Sequence, residues 1–172
     1  PPGHGQSSAI EKWDQTMVAA IFRRIMKDLS STTAIVGGHS VGAVVALSTI
    51  EILPFQVGGI ILIDGGYFNP FSTRSIKELK DVNRRFLDEN VFPSWDHYIA
   101  SEKSQSKIWN ENILLASKAA AVQTTDGTVK LRIGLDTLNQ ATAFIKAFSL
   151  DNMSSHLVPA LLLFGRRLVA LN

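Results

Sequence analysis

The sequence predicts the α/β class: a mostly parallel sheet with helices on both faces, and a helical cap inserted into it. Three observations predict this. The runs 32–38 and 57–63 are apolar on both faces, as strands of a sheet covered on two sides are. The stretch Val41 to Ile52, rich in Ala, Val and Leu, separates them and suits a helix buried on most sides. From about Asn69 the chain becomes charged and helix-rich, and a strand-like run resumes only at Val158.

The elements follow in order. Residues 8–29 read as a helix: Ser8 and Glu11 have capping-box spacing, and Ile10, Trp13, Met17, Ile21 and Ile25 recur at three- and four-residue steps along one apolar face. Next come the strand 32–38, the helix 41–52 and the second buried strand, Val57 to Ile63. Beyond Asn69, the residues Lys77, Glu78, Lys80, Asp81, Arg84 and Arg85 mark a solvated helical face. Thr124 to Gly127 form a turn, Gly134 to Phe148 an amphipathic helix, and no buried strand is expected there. Pro159 suits the first residue of a late strand continuing through Phe164 to Gly165. The organisation expected is therefore core over 1–68, helical cap over 69–155 and returning core over 156–172.

Composition narrows the function classes. With 172 residues, 45% hydrophobic and 19% charged, the chain is long enough for one domain, or one with an insertion. Lys and Arg outnumber Asp and Glu by only 17 to 15 and form no stripe, so no nucleic-acid partner is expected. No run approaches the roughly 20 apolar residues of a membrane span, and the start, Pro1-Pro2-Gly3-His4-Gly5, has loop character and no signal-peptide pattern. A cytoplasmic location is the default, and oligomeric state stays open. With no cysteine, disulfides, thiolate nucleophiles and cysteine-held metals are excluded.

The sharpest motif is Gly38-His39-Ser40-Val41-Gly42, set between a strand and a helix. A nucleophile on such a turn adopts strained backbone angles, and glycines two residues to either side let neighbouring backbones pass closely. The hydroxyl of Ser40 is then pushed clear of the sheet. The helix that follows aims its first amides at the same spot, so the Val41 N–H is the expected oxyanion donor.

With this motif in its strand–helix context, the chain resembles the α/β-hydrolase family over nearly its whole length. Pro2 to Ser7 resembles the loop after an early sheet strand, Gly38 to Gly42 the nucleophile elbow, and Val57 to Asp64 the next strand. Val158 to Gly165 resembles the late strand that carries the triad acid, and the charged helical block sits where the family inserts its cap. The resemblance implies a truncated member of the fold in which early strands and the catalytic-histidine region are absent. It also implies an ester, or similarly activated acyl or C–C, substrate attacked by Ser40, a small-molecule partner, and no metal or other cofactor. The cap aromatics, Phe68, Phe71, Phe92, Trp95 and Trp109, would wall an apolar pocket.

The triad does not close within the chain. The family's acid is expected three residues after Gly165, where Leu168 follows Arg166 and Arg167. Of the four histidines, His156 precedes its strand and should lie roughly 25 Å from the active end, at about 3.3 Å per residue. His4 sits in a glycine-flanked turn, His39 is directed away by the elbow, and His97 lies in the cap. Asp64, ending the strand after the elbow, is a candidate acid in the manner of some family members, or else caps the Gly65-Gly66 turn. Little turnover is expected without the base, since that loss costs on the order of 10⁶-fold. Unpaired sheet edges are expected to invite association.

Two other readings compete. Gly37, Gly38 and Gly42 after a strand, with Asp64 about 20 residues on, partly match a dinucleotide fingerprint, but His39 stands where the pyrophosphate needs glycine. A non-catalytic hydrolase-fold protein that binds a ligand or partner is favoured by Leu168.

Overall fold

A computed structural model describes residues 2–149 and 158–164. His156, Gly165, Arg166, Arg167 and Leu168 lie outside the described residues.

Helix α1 spans Gln15–Asp28, strand β1 Ala34–His39, helix α2 Val41–Ile52 and strand β2 Val57–Ile63. Helices α3 (Ile76–Glu89), α4 (Trp95–Gln105), α5 (Glu111–Ala120) and α6 (Leu135–Ala147) follow, with short strands β3 (Val91–Phe92), β4 (Ala121–Gln123) and β5 (Val129–Leu131) among them. Strand β6 is Ala160–Leu163. The chain divides into two compact units, 1–11 with 74–142, and 12–73 with 143–172. We call them the helical unit and the sheet unit.

In the sheet unit the strand order is β1-β2-β6, all parallel, in the register Val36↔Ile60 and Leu62↔Leu162. Helix α2 is apolar on most sides, and its Ala43, Ala46, Leu47 and Ile50 close the core with Val57, Ile60 and Leu62. This packing covers one face of the sheet. The opposite face is open at Ile35 (71% exposed), Leu161 (52%) and Leu163 (45%). The late strand expected from Val158 to Gly165 is seen as β6, and all four of its residues are exposed, because among the described residues β6 is an edge strand paired only with β2.

Helix α1 begins later than the capping-box spacing suggests. Asp14 is its N-cap and accepts the Met17 N–H at 2.9 Å, whereas the Ser8 carbonyl closes the opening loop by accepting the Gly3 N–H. The buried face is also different. Val18, Ala19 and Met26 are buried, while Ile21 and Ile25 are 37% and 49% exposed. Both stripes fit a period of 3.6, and the one carrying Phe22 is packed on the α2 core.

The helical unit contains a feature its periodicity does not reveal. Strands β3, β5 and β4 form an antiparallel sheet in that order, and Ala121 and Val129 within it are 0% exposed. The expectation of no buried strand there is therefore corrected. Strands of two or three residues are too short to show alternation, although the turn joining β4 to β5, Thr124 to Gly127, is legible as a turn. Tyr98, 1% exposed, packs with Phe92 and Trp95 over this sheet and donates its hydroxyl to the Ser117 carbonyl at 3.1 Å.

Candidate active site

Strand β1 delivers the chain to Ser40 at the carboxyl end of the sheet, and α2 leaves from the next residue. Ser40 has φ 52° and ψ −114°, a left-handed conformation that costs a non-glycine residue on the order of 1–3 kcal/mol. Two backbone hydrogen bonds hold it there: Ser40 N–H donates to Ile63 O at 2.9 Å, and Ser40 O accepts from Ala43 N–H at 3.0 Å. Its side chain makes no capping bond to the helix, and the residue is exposed.

Glycines allow this turn, but not symmetrically. A Cβ at Gly38 would lie 1.9 Å from Gly42 O and 2.5 Å from Ala43 N, so only hydrogen fits there. A Cβ at Gly42 would meet nothing within 4 Å, so the close approach is on the Gly38 side alone. A third glycine matters as much: a Cβ at Gly65 would fall 2.7 Å from Ser40 O and 2.8 Å from Ser40 Cα. Reading Gly65 only as part of a turn misses that role. The available signal is a double glycine ending the strand next to the elbow strand.

Val41 is the first residue of α2, and its N–H is among the amides that have no acceptor inside a helix. Asp64 directly follows β2, is left-handed at φ 48°, and donates its N–H to Leu163 O at 2.8 Å. Ser40, Val41 and Asp64 line one cleft of about 90 Å³, with Val44, Phe68, Phe71 and Ile145. Phe68 and Phe71 thus lie in the sheet unit at the cleft, while Phe92 and Trp95 belong to the core around Tyr98.

Behind the cleft, Tyr67 packs its ring 5.1 Å from Phe68 and 5.0 Å from Phe164. Its hydroxyl is buried and within the influence of Asp64, but no partner meets hydrogen-bond geometry. Burial first, and the Asp64 carboxylate second, hold its pKa above the usual tyrosine value. The loop beyond is fastened by Asn69, whose amide nitrogen donates to the carbonyls of Ile145, Lys146 and Phe148, each at 3.0 Å. The Asn69 carbonyl in turn accepts the Phe71 N–H at 3.0 Å. Neither Tyr67 nor Asn69 stands out in the sequence beyond the turn signal of Asn69-Pro70.

The histidines are placed as follows. His4, in the helical unit, donates from Nδ1 to Pro2 O at 3.0 Å and so braces its own loop. His97, in the same unit, has Nδ1 2.9 Å from the Ser94 hydroxyl that caps α4. His39 is exposed at the end of β1, in register with Ile63. Among the described residues it is the one histidine of the sheet unit. Also among the described residues, no three His, Asp or Glu side chains gather as a metal site, and no helix is long and apolar enough to cross a membrane.

The sequence matches no family model and no curated protein. The structure does have similar solved counterparts. One is E-2-(acetamidomethylene)succinate hydrolase, with TM-score 0.67 and 15% identity over 95% of this chain and 70% of that one. A second is the thioesterase domain of the curacin biosynthetic pathway, with TM-score 0.66 and 18% identity over 96% of this chain and 63% of that one. A third is the peroxisomal α/β-hydrolase Lpx1 of Saccharomyces cerevisiae, with TM-score 0.64 and 16% identity over 91% of this chain and 48% of that one. The chain thus spans from about half to 70% of their lengths. With a parallel sheet, a serine on a strained strand-to-helix turn and these counterparts, the chain has the α/β-hydrolase fold.

Proposed function

We propose that the protein is a serine hydrolase acting on an ester or similarly activated acyl or C–C substrate, with Ser40 as nucleophile. The observation that carries this reading is the backbone of Ser40. A left-handed serine packed against Gly65, on a turn that Gly38 lets pass close to α2, is a strain that a plain strand-to-helix connection does not need, and it leaves the residue exposed next to the first amide of a helix. The similar solved structures include one named as a hydrolase and one named as a thioesterase domain, which supports this reading.

In this reading Ser40 Oγ attacks the substrate's carbonyl carbon, and its proton passes to a base. The carbonyl electrons move to the oxygen, where the Val41 N–H and the amino end of α2 stabilise the charge. Collapse expels the alcohol or thiol, which takes up the proton, and leaves an acyl group on Ser40. Asp64, in the same cleft, is the candidate acid for orienting the base. Among the described residues the sheet unit has one imidazole, His39, and it does not line the Ser40 cleft. Acylation without rapid turnover is therefore expected.

The test is a pre-steady-state reaction with p-nitrophenyl acetate. The proposal expects p-nitrophenol release of about one equivalent per chain, an acetyl group on the Ser40 peptide, and neither in Ser40→Ala. Equal release by Ser40→Ala refutes it. The competing reading, a non-catalytic ligand-binding or partner-binding protein, draws on Leu168 in the expected acid position, and an unacylated Ser40 would favour it.

A further inference from the structure

From the size and lining of the Ser40 cleft we infer that it selects short apolar acyl groups, acetyl to butyryl, and that Phe71 sets the upper limit. This inference rests on the proposed role of Ser40 as nucleophile. The cleft holds about 90 Å³. That is about three groups the size of a water or a methylene, at roughly 30 Å³ each. A butyryl chain has three carbons beyond its carbonyl, so it fills this space, and an octanoyl chain has more than twice as many.

Apart from Ser40 and Asp64 the side chains lining the cleft are apolar, and its inner wall is fixed. Val44 and Ile145 are 3% and 4% exposed, so neither can swing aside without opening the core. Gly66, at φ +85°, lines the cleft as bare backbone packed on the core, since a Cβ there would press on Leu47 at 2.9 Å and Ala43 at 3.2 Å. Phe68 and Phe71 close the outer side. The loop that carries them is tied to the end of α6, near Ile145, by the three carbonyl bonds of Asn69 and by Lys146, which donates to Phe71 O at 3.2 Å. The limit on chain length is therefore built into a braced loop.

Phe71 is the wall that can be removed with least damage. It is only half-buried, and the loop bonds it makes use its backbone N–H and carbonyl, which a substitution to alanine keeps.

The experiment measures the rate of Ser40 acylation by p-nitrophenyl acetate, butyrate and octanoate, with mass spectrometry locating the acyl group. In the unaltered protein each carbon added from acetate to butyrate should raise acylation about fourfold, as one more methylene is buried. Octanoate should fall at least tenfold below butyrate. Phe71→Ala should bring octanoate to within threefold of butyrate. Octanoate reacting as fast as butyrate at Ser40 in the unaltered protein overturns the size limit and leaves the nucleophile standing. A gap unchanged in a folded Phe71→Ala overturns the role of Phe71. Absence of any acyl group on Ser40 with all three esters overturns the nucleophile, and this inference with it.

Discussion

The two glycines of the elbow motif should respond to alanine with opposite signs. In Gly38→Ala the new methyl would sit 1.9 Å from Gly42 O and 2.1 Å from Gly42 C. Non-bonded contacts need well over 3 Å, so strand and helix must separate by more than 1 Å in a core closed by Ala43, Ala46 and Ile60. Overpacking of this kind costs about 3 kcal/mol or more, because backbone rather than a flexible side chain must move. In Gly42→Ala the methyl meets nothing within 4 Å, and alanine in a helix is favoured over glycine by about 0.5–1 kcal/mol. Urea unfolding checks both. A background with Trp95 and Trp109 replaced by Phe leaves Trp13, 8% exposed and in the sheet unit, as the fluorescent reporter. With a slope of about 2 kcal/mol/M, Gly38→Ala should lower the midpoint by about 1.5 M, and Gly42→Ala should leave it unchanged or raise it slightly. Equal losses in both variants, or no loss in Gly38→Ala, would refute the packing account of the elbow.

Three further outcomes are expected. Replacing Asn69 by Ala removes the donor to three carbonyls and the acceptor of Phe71 N–H, and should lower stability by about 1–3 kcal/mol in the same unfolding assay. Tyr67 should titrate above the usual tyrosine range, read as the absorbance difference between the unaltered protein and Tyr67→Phe; Asp64→Asn should lower that value only in part, because burial is the larger cause. Its contribution to stability is whole below pH 10 and is lost as pH rises through the raised value. Asp126, held at about 2 by hydrogen bonds from Thr124 and Thr128, should stabilise the β4–β5 turn above pH 3.8 and lose that effect as pH falls toward 2. Asp126→Asn should remove this acid-dependent part of the unfolding curve.

What the sequence discloses follows from how local each signal is. The bounds of α2 and β2 are legible because largely apolar runs end at Pro54 and Asp64. The elbow is legible because its glycine spacing and flanking elements fall within a dozen residues. The buried face of α1 is not, since Val18-Phe22-Met26 and Met17-Ile21-Ile25 are equally periodic and only the surface of α2 chooses between them. The β3-β5-β4 sheet escapes for a similar reason, as its strands are too short to carry a pattern and pair across sequence gaps. Gly65 against Ser40, and Asn69 against the end of α6, are contacts between segments 25 and 76 residues apart that no local rule encodes.

The most direct test of the account is peptide-resolved mass spectrometry after brief exposure to a small fluorophosphonate, run on folded and on urea-unfolded protein. If Ser40 is a nucleophile presented by its elbow, the folded protein carries the phosphonyl group at Ser40 ahead of every other serine, and unfolding abolishes that preference. A Ser40 that stays unmodified in the folded protein, or that reacts no faster than serines on exposed loops, would contradict it.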